Sequence, residues 1–274
     1  MIKMEKINLT YHIHEGMFKY PSDCEVEVEK IKARSEKINE NVYSEDGTLL
    51  MRTQREKYFS GRIKIFITNH HGTHIDAPAH KIPAGKTINR YDKEKFTNNC
   101  ILLDLTSTDL LERKEREITK EDLRGLERIL EQPLTISNVN SLVLYTGFCD
   151  EMSKNELYTG FCDEMSKNEK RKFEQTFPFL SIETAEYIYS INKNLNILGI
   201  DSFSFDRTGS NSEVHRFFLS EDILLLETLF NLRELSTKLS KKSNKNFELQ
   251  CYPSEIFLNL EADAAPTEAI AVIP

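Results

Sequence analysis

Residues 70–80 read His-His-Gly-Thr-His-Ile-Asp-Ala-Pro-Ala-His, and four of the chain's seven histidines lie there with an aspartate among them. His70, His74, Asp76 and His80 all carry even numbers, so in an extended segment their side chains leave from one face, while His71 points away. A helix would also pair His70 with His74 and Asp76 with His80 at i,i+4. Gly72 weakens that reading, and Pro78 pushes Ala77 out of the α region, so an extended segment is predicted. Imidazole nitrogens and a carboxylate oxygen together suit zinc, manganese or iron(II). The plain alternative is a loop of surface histidines. Four ligand-type residues on one face beside a Gly-Thr turn favour the metal, whereas for His71 the plain reading is preferred.

The rest of the composition narrows the partners. The chain has 274 residues, 39% hydrophobic and 29% charged, an ordinary soluble balance able to bury a sizeable core. A formal charge of −8 argues against nucleic acid or an anionic membrane as partner. No apolar run approaches the roughly 18 residues of a membrane span. The N-terminal Met1-Ile-Lys-Met-Glu-Lys-Ile-Asn8 is strand-like and lacks a signal-peptide core, which predicts a cytoplasmic protein. Cysteines at 24, 100, 149, 162 and 251 lack close metal-type spacing, and their odd count suggests reduced thiols.

Strand-like runs recur at 6–11, 61–68, 101–106, 141–146, 196–200, 223–226 and 269–273. Several are continuously apolar, as suits strands covered on both faces. Helices are predicted at 119–131 (Leu123, Leu126, Ile129 and Leu130 on one stripe), 181–192 behind a Ser cap, and 231–240. Interspersed strands and helices make this an α/β chain, and no Pro-, Gly- or Ser-rich linker divides it, so one domain over 1–274 is expected. Residues 22–60 are charged and weakly patterned, which reads as a solvated helix or a long surface excursion, with a lid over the site as a further possibility.

Residues 144–156, Leu-Tyr-Thr-Gly-Phe-Cys-Asp-Glu-Met-Ser-Lys-Asn-Glu, recur letter for letter as 157–169. Solenoid repeats are longer, diverged and more numerous, so this pair reads as a tandem duplication of the coding segment or an error in its assembly. Only the first copy has an apolar lead-in, Ser141-Leu-Val. It should finish a core strand, with 157–169 extruded as an inserted surface loop.

A second segment completes the candidate site. His215 lies twelve residues before Glu227, which ends the apolar run 223–226. A buried carboxylate there would need a partner or a cation. Read alone, Glu227 is better explained as an ordinary acid at a helix start.

Here the residues resemble a family. Residues 70–80 match the His-x-Gly-Thr-His-x-Asp-x-Pro-x-His signature of the metal-dependent cyclases, which include bacterial kynurenine formamidases (arylformamidases) and isatin hydrolases. Asn8-Leu-Thr, Tyr20-Pro21, Gly85-Lys-Thr-Ile, Leu144-Tyr-Thr-Gly and Gly199-Ile-Asp-Ser-Phe-Ser-Phe-Asp206 resemble further family elements. Relative to the family, residues 22–60 look enlarged. The resemblance implies a swivelling β/β/α-type domain with a mixed sheet, assembled as a homodimer or higher homo-oligomer. It implies that His70, His74 and Asp76 bind a first divalent metal and that Asp76 bridges to a second held by His215 and Glu227. One or two Zn2+ or Mn2+ ions per chain are expected, with zinc slightly ahead. His80 would then be the proton shuttle rather than a ligand.

Activated water would attack an amide or formamide carbonyl. The expected substrate is a small amide, N-formylkynurenine of tryptophan catabolism being the family's best-known one. A lactam hydrolase of isatin type is the alternative, and a metal-binding scaffold without turnover is a third. Serine chemistry is disfavoured because no Gly-x-Ser-x-Gly elbow occurs.

Overall fold

Runs such as Ser141-Leu-Val-Leu-Tyr145 and Ile197-Leu-Gly-Ile200 offer water no polar face, so they fold only where both sides are covered. In the computed structural model, which describes residues 4–46, 48–129, 139–159, 166–242 and 245–274, these runs are central strands of one large sheet. In chain order the strands are β1 (Glu5–Asn8), β2 (Glu27–Ile31), β3 (Arg34–Tyr43), β4 (Leu49–Phe59), β5 (Arg62–Phe66), β6 (His74–Asp76), β7 (Thr97–Asp104), β8 (Glu117–Ile118), β9 (Ser141–Tyr145), β10 (Phe179–Leu180), β11 (Ile197–Ile200), β12 (Leu224–Glu227), β13 (Phe247–Pro253) and β14 (Ala264–Ile273). The helices are α1 (Lys120–Ile129), α2 (Phe148–Thr159), α3 (Lys167–Glu174), α4 (Ile182–Ile191), α5 (Glu213–Ser220), α6 (Leu232–Ser240) and α7 (Glu255–Leu258).

The large sheet runs β1-β14-β13-β7-β9-β11-β12-β6, and β6 pairs back onto β14, closing the strands from β14 to β6 into a ring. Pairings from β7 through β12 are parallel and the others antiparallel. The α/β class with a mixed sheet is as the sequence implies. Alternate strand residues supply two cores. Val143, Ile197, Leu226 and Ile75 join α6 on one side, and Leu142, Leu144, Leu198 and Leu225 pack with α4 and α5 on the other. The predicted helices at 119–131, 181–192 and 231–240 correspond to α1, α4 and α6, with residues 130 and 131 outside the described set. Strand β13 was not anticipated, although Phe247, Leu249, Cys251 and Pro253 alternate as buried residues along it.

The chain divides into two compact units, Met1–Cys24 with Thr68–Pro274, and Glu25–Ile67. The smaller unit corrects the helical alternative for residues 22–60. It holds two antiparallel ribbons, β2 with β5 and β3 with β4. Its period-2 pattern does not mark a core, because Ile63 and Ile65 are 65% and 60% exposed.

The duplicated segment takes two structures. In the first copy Leu144 and Tyr145 end strand β9, buried as expected. In the second, residues 157–159 complete helix α2, while Lys167, Asn168 and Glu169 open helix α3. The expected surface loop is therefore corrected at both described ends, and residues 160–165 lie outside the described set. The physical reason is local. No Gly or Pro interrupts 148–159, so α2 runs on, and Ser166 and Glu169 form a reciprocal capping box that starts α3. The same Ser-Lys-Asn-Glu letters sit mid-helix in the first copy. Helix α3 is anchored by Phe173, which stacks on Phe148 at 5.1 Å and tilts onto Phe18 at 4.8 Å.

Leu144 is fully buried between β7 and β11. Leu144→Asp should cost about 3 kcal/mol or more as a buried unpaired charge. Urea unfolding measures it, and an unchanged midpoint would contradict the placement of the first copy in the core.

Candidate metal centre

The signature folds as a turn, a short strand and a second turn, which corrects the wholly extended reading. Gly72 takes φ 67°, and a Cβ there would sit 2.6 Å from the Tyr11 carbonyl oxygen. Thr73 Oγ1 accepts from Tyr11 N at 2.7 Å and donates to Thr228 O at 2.6 Å. The strand proper is only β6, so strand alternation aligns His74 and Asp76. Pro78–His80 is a single 3-10 turn. It swings His80 back until its Nδ1 lies 3.2 Å from His70 Nε2. Gly85 packs so closely on Pro78 that a Cβ would meet its carbonyl carbon at 2.6 Å.

Register brings in the second segment. β12 runs antiparallel to β6 with Glu227 opposite His74, and α5 delivers His215 from the same face. Glu227 is not a helix-start acid: it ends β12, 3% exposed, and Thr228 after it holds a left-handed φ of 57°. Such strain in a β-branched residue costs about 1–3 kcal/mol and persists where the surroundings enforce it.

All five expected ligands and His80 meet in one cluster. Asp76 Oδ1 lies 3.5 Å from His70 Nε2 and 3.8 Å from His74 Nε2, while Oδ2 lies 3.3 Å from His215 Nε2 and 3.7 Å from His80 Nε2. Glu227 spans the other side, 3.2 Å from both His74 Nε2 and His215 Nε2. Ligand atoms within 4.8 Å of one another group as His74, Asp76 and Glu227; as Asp76, His80 and His215; and as His70, His80 and Asp263. The expected first triplet of His70, His74 and Asp76 is not among these groups, because His70 leans toward His80.

The donor set fits a divalent cation. Asp76 is 0% exposed, and neither of its oxygens has a hydrogen-bond partner among the described residues. Once the imidazoles are neutral, as metal ligands must be, the two carboxylates leave two negative charges for a cation to balance. Burial would lower His74, but Glu227 and Asp76 lift it to about 9. His215 is likewise raised by Glu227, Asp206 and Asp76 against its burial. Burial draws His70 down to about 4, with Asp76 opposing.

Three residues not assigned from the sequence orient the histidines of this cluster. Asp206 accepts from the backbone of Val214 and His215 and from His215 Nδ1 at 2.5 Å, so His215 turns Nε2 inward. Asp206 ends the Gly199–Asp206 element that resembles the family, with no local signal for this role. Asp263 accepts from His80 Nδ1 at 3.0 Å and from Asn69 at 2.5 Å. It lies far along the chain with no local signal. Gly72 O takes the Nδ1 proton of His74 at 3.0 Å. His71 turns away as expected but is not a surface histidine: fully buried, it accepts from Thr68 N and reaches the Cys24 carbonyl.

Comparisons with known proteins place the chain in a family. The Cyclase family model matches residues 7–207. The kynurenine formamidase of Bacillus cytotoxicus is 25% identical over 208 residues, covering 76% of this chain and 78% of that protein. Cyclase-like protein 1 of Arabidopsis thaliana is 22% identical over 225 residues, covering 78% and 70%. Among solved structures, isatin hydrolase A from Ralstonia solanacearum superposes with a TM-score of 0.61 at 15% identity, covering 99% of this chain and 92% of its own, a likeness of fold.

With His74 raised to about 9, at pH 7 the cluster holds protons that a cation must displace. Zinc binding should therefore release at least one proton per ion at pH 7, and affinity should climb as pH rises toward 9. Calorimetry in two buffers of different ionisation heat measures this. A buffer-independent heat would contradict it.

Proposed function

Since the chain belongs to the Cyclase family, we propose that it is a metal-dependent hydrolase of non-peptide C–N bonds, acting on an aryl formamide or a related small amide. One observation carries the reading: the buried Asp76 carboxylate, without a hydrogen bond among the described residues and surrounded by imidazoles. His70, His74, Asp76, His215 and Glu227 would hold the ion. Nitrogen and oxygen donors alone suit zinc or manganese. The two Asp76 oxygens face different histidines, which supports room for one or two ions per chain.

A divalent cation held there supplies Lewis acidity, polarising a carbonyl and bringing the pKa of water toward neutrality. The protein's own groups do the rest. Asp263 takes the Nδ1 proton of His80, which leaves Nε2 as a lone pair facing Asp76 and the cavity. That nitrogen can receive a proton from attacking water and return it to the departing nitrogen. Tyr20 and Phe203 give the cavity, about 270 Å³, flat walls suited to an aryl group. A fused aryl lactam fits the same walls and is the second reading. The His80–Asp263 pair argues against a non-catalytic scaffold, which needs no oriented free base. Catalysis by Cys100, Cys149 or Cys251 is disfavoured because burial pushes these thiols up, away from the reactive thiolate.

No helix among the described residues is long and apolar enough to cross a membrane. A homodimer or higher homo-oligomer is supported by the exposed Ile31, Ile63, Ile65 and Phe66 of the smaller unit.

Metal analysis with parallel assays of formamide and lactam substrates tests the proposal. His80→Ala should keep the metal and lose about 10²-fold in turnover. Loss of the metal would make His80 a ligand instead. Asp206→Asn should weaken metal affinity about 10- to 100-fold, measured by competition with a chelating dye. An unchanged affinity would remove Asp206 from the site.

A further inference from the structure

Asp23 lies in the same cavity as His70, His74 and His80, on the turn that follows Tyr20-Pro21. Its Oδ2 is buried and has no hydrogen-bond partner among the described residues. Buried acceptors are nearly always paired, and leaving one unpaired costs about 1–3 kcal/mol. An orphan that lines a substrate cavity is therefore an acceptor waiting for a donor that the protein does not supply.

The imidazoles beside it are already committed. His74 has Nδ1 on Gly72 O and Nε2 on Glu227, and His71 is engaged at both ring nitrogens. The Lys19 ammonium reaches the Asp23 carbonyl oxygen at 2.7 Å. Nor does Asp23 join any of the groups whose ligand atoms could share an ion. Burial pushes its carboxyl up, with His74 and His71 opposing, so an incoming donor would relieve a cost already present.

The backbone that carries this carboxylate is also held. Asp23 N donates to Tyr20 O at 3.0 Å, and the next carbonyl, Cys24 O, is tied to His71 Nε2 at 2.9 Å. The turn is thereby bound to the signature itself. Resting on the hydrolase reading above, we propose that Asp23 accepts the N–H of the scissile secondary amide or lactam. It thereby selects such substrates over esters and N-alkylated amides. Such a contact places the carbonyl, one bond from that nitrogen, toward the metal ligands and His80. A site built around a substrate donor rejects analogues lacking it, because its own polar group then stays unpaired.

The test compares zinc-loaded wild type, Asp23→Ala and Asp23→Asn on formanilide, N-methylformanilide and phenyl formate. Asp23→Ala should lower kcat/KM for formanilide about tenfold or more, change phenyl formate less than about threefold, and keep its zinc. Asp23→Asn, which retains an acceptor oxygen, should recover part of the formanilide activity. Equal losses on all three substrates, or loss of zinc, would overturn the proposal. Calorimetric binding of isatin against N-methylisatin judges Asp23 without turnover. Wild type should favour the N–H lactam about tenfold, and Asp23→Ala should not distinguish the two. No such preference in wild type, including no binding of either, overturns the role of Asp23. Absent turnover with that preference intact would instead count against the hydrolase reading alone.

Discussion

Asp76 places a carboxylate inside the sheet, fully buried, with neither oxygen hydrogen-bonded among the described residues and histidine nitrogens 3.3 to 3.8 Å away. Burying a carboxylate without hydrogen bonds is among the most unfavourable things a fold can do. Without an ion the neighbours answer by taking up protons, which is why His74 and His215 are raised despite complete burial. A divalent cation answers better, since it balances Asp76 and Glu227 together. Much of the surrounding structure can be understood as keeping that charge where a cation can reach it.

The fold does so by closing its sheet. β6 is only His74–Asp76, yet it pairs on both edges, with β12 and with β14. One neighbour sets Glu227 opposite His74. The other is preceded by Asp263, whose carbonyl binds Ala77 N and whose carboxylate orients His80. The β11–β12 crossover contributes Asp206 and α5, hence His215. These groups collect near the carboxyl ends of parallel strands, where open α/β sheets place their ligands. The left-handed Thr228 and the Thr73 bonds to Tyr11 and Thr228 fix the ends of this frame.

Some of this was legible in the sequence. The continuous apolar runs gave away β9, β11 and β12, because no exposed element tolerates them. The candidate site was legible because His70, His74, Asp76 and His80 are crowded into one segment, although a turn rather than strand alternation returns His80. Asp263 was hidden, since its partner lies far away in sequence and only sheet closure joins them. The two copies of the duplicated segment show the limit most clearly. Identical letters end a strand in one place and a helix in another, because β7 and β11 flank the first copy while a capping box and Phe173 organise the tail of the second. In the Glu25–Ile67 unit, alternation of Ile63 and Ile65 signals strand but not burial.

The most direct measurement is thermal unfolding of wild type and Asp76→Asn, each with zinc and with chelator. If Asp76 is buried for the sake of a cation, zinc stabilises wild type, by about 2.7 kcal/mol at a hundredfold excess over Kd. It should leave Asp76→Asn unmoved, and in chelator the variant should be at least as stable as wild type. Equal zinc stabilisation of both proteins, or a variant far less stable than wild type in chelator, would contradict the account.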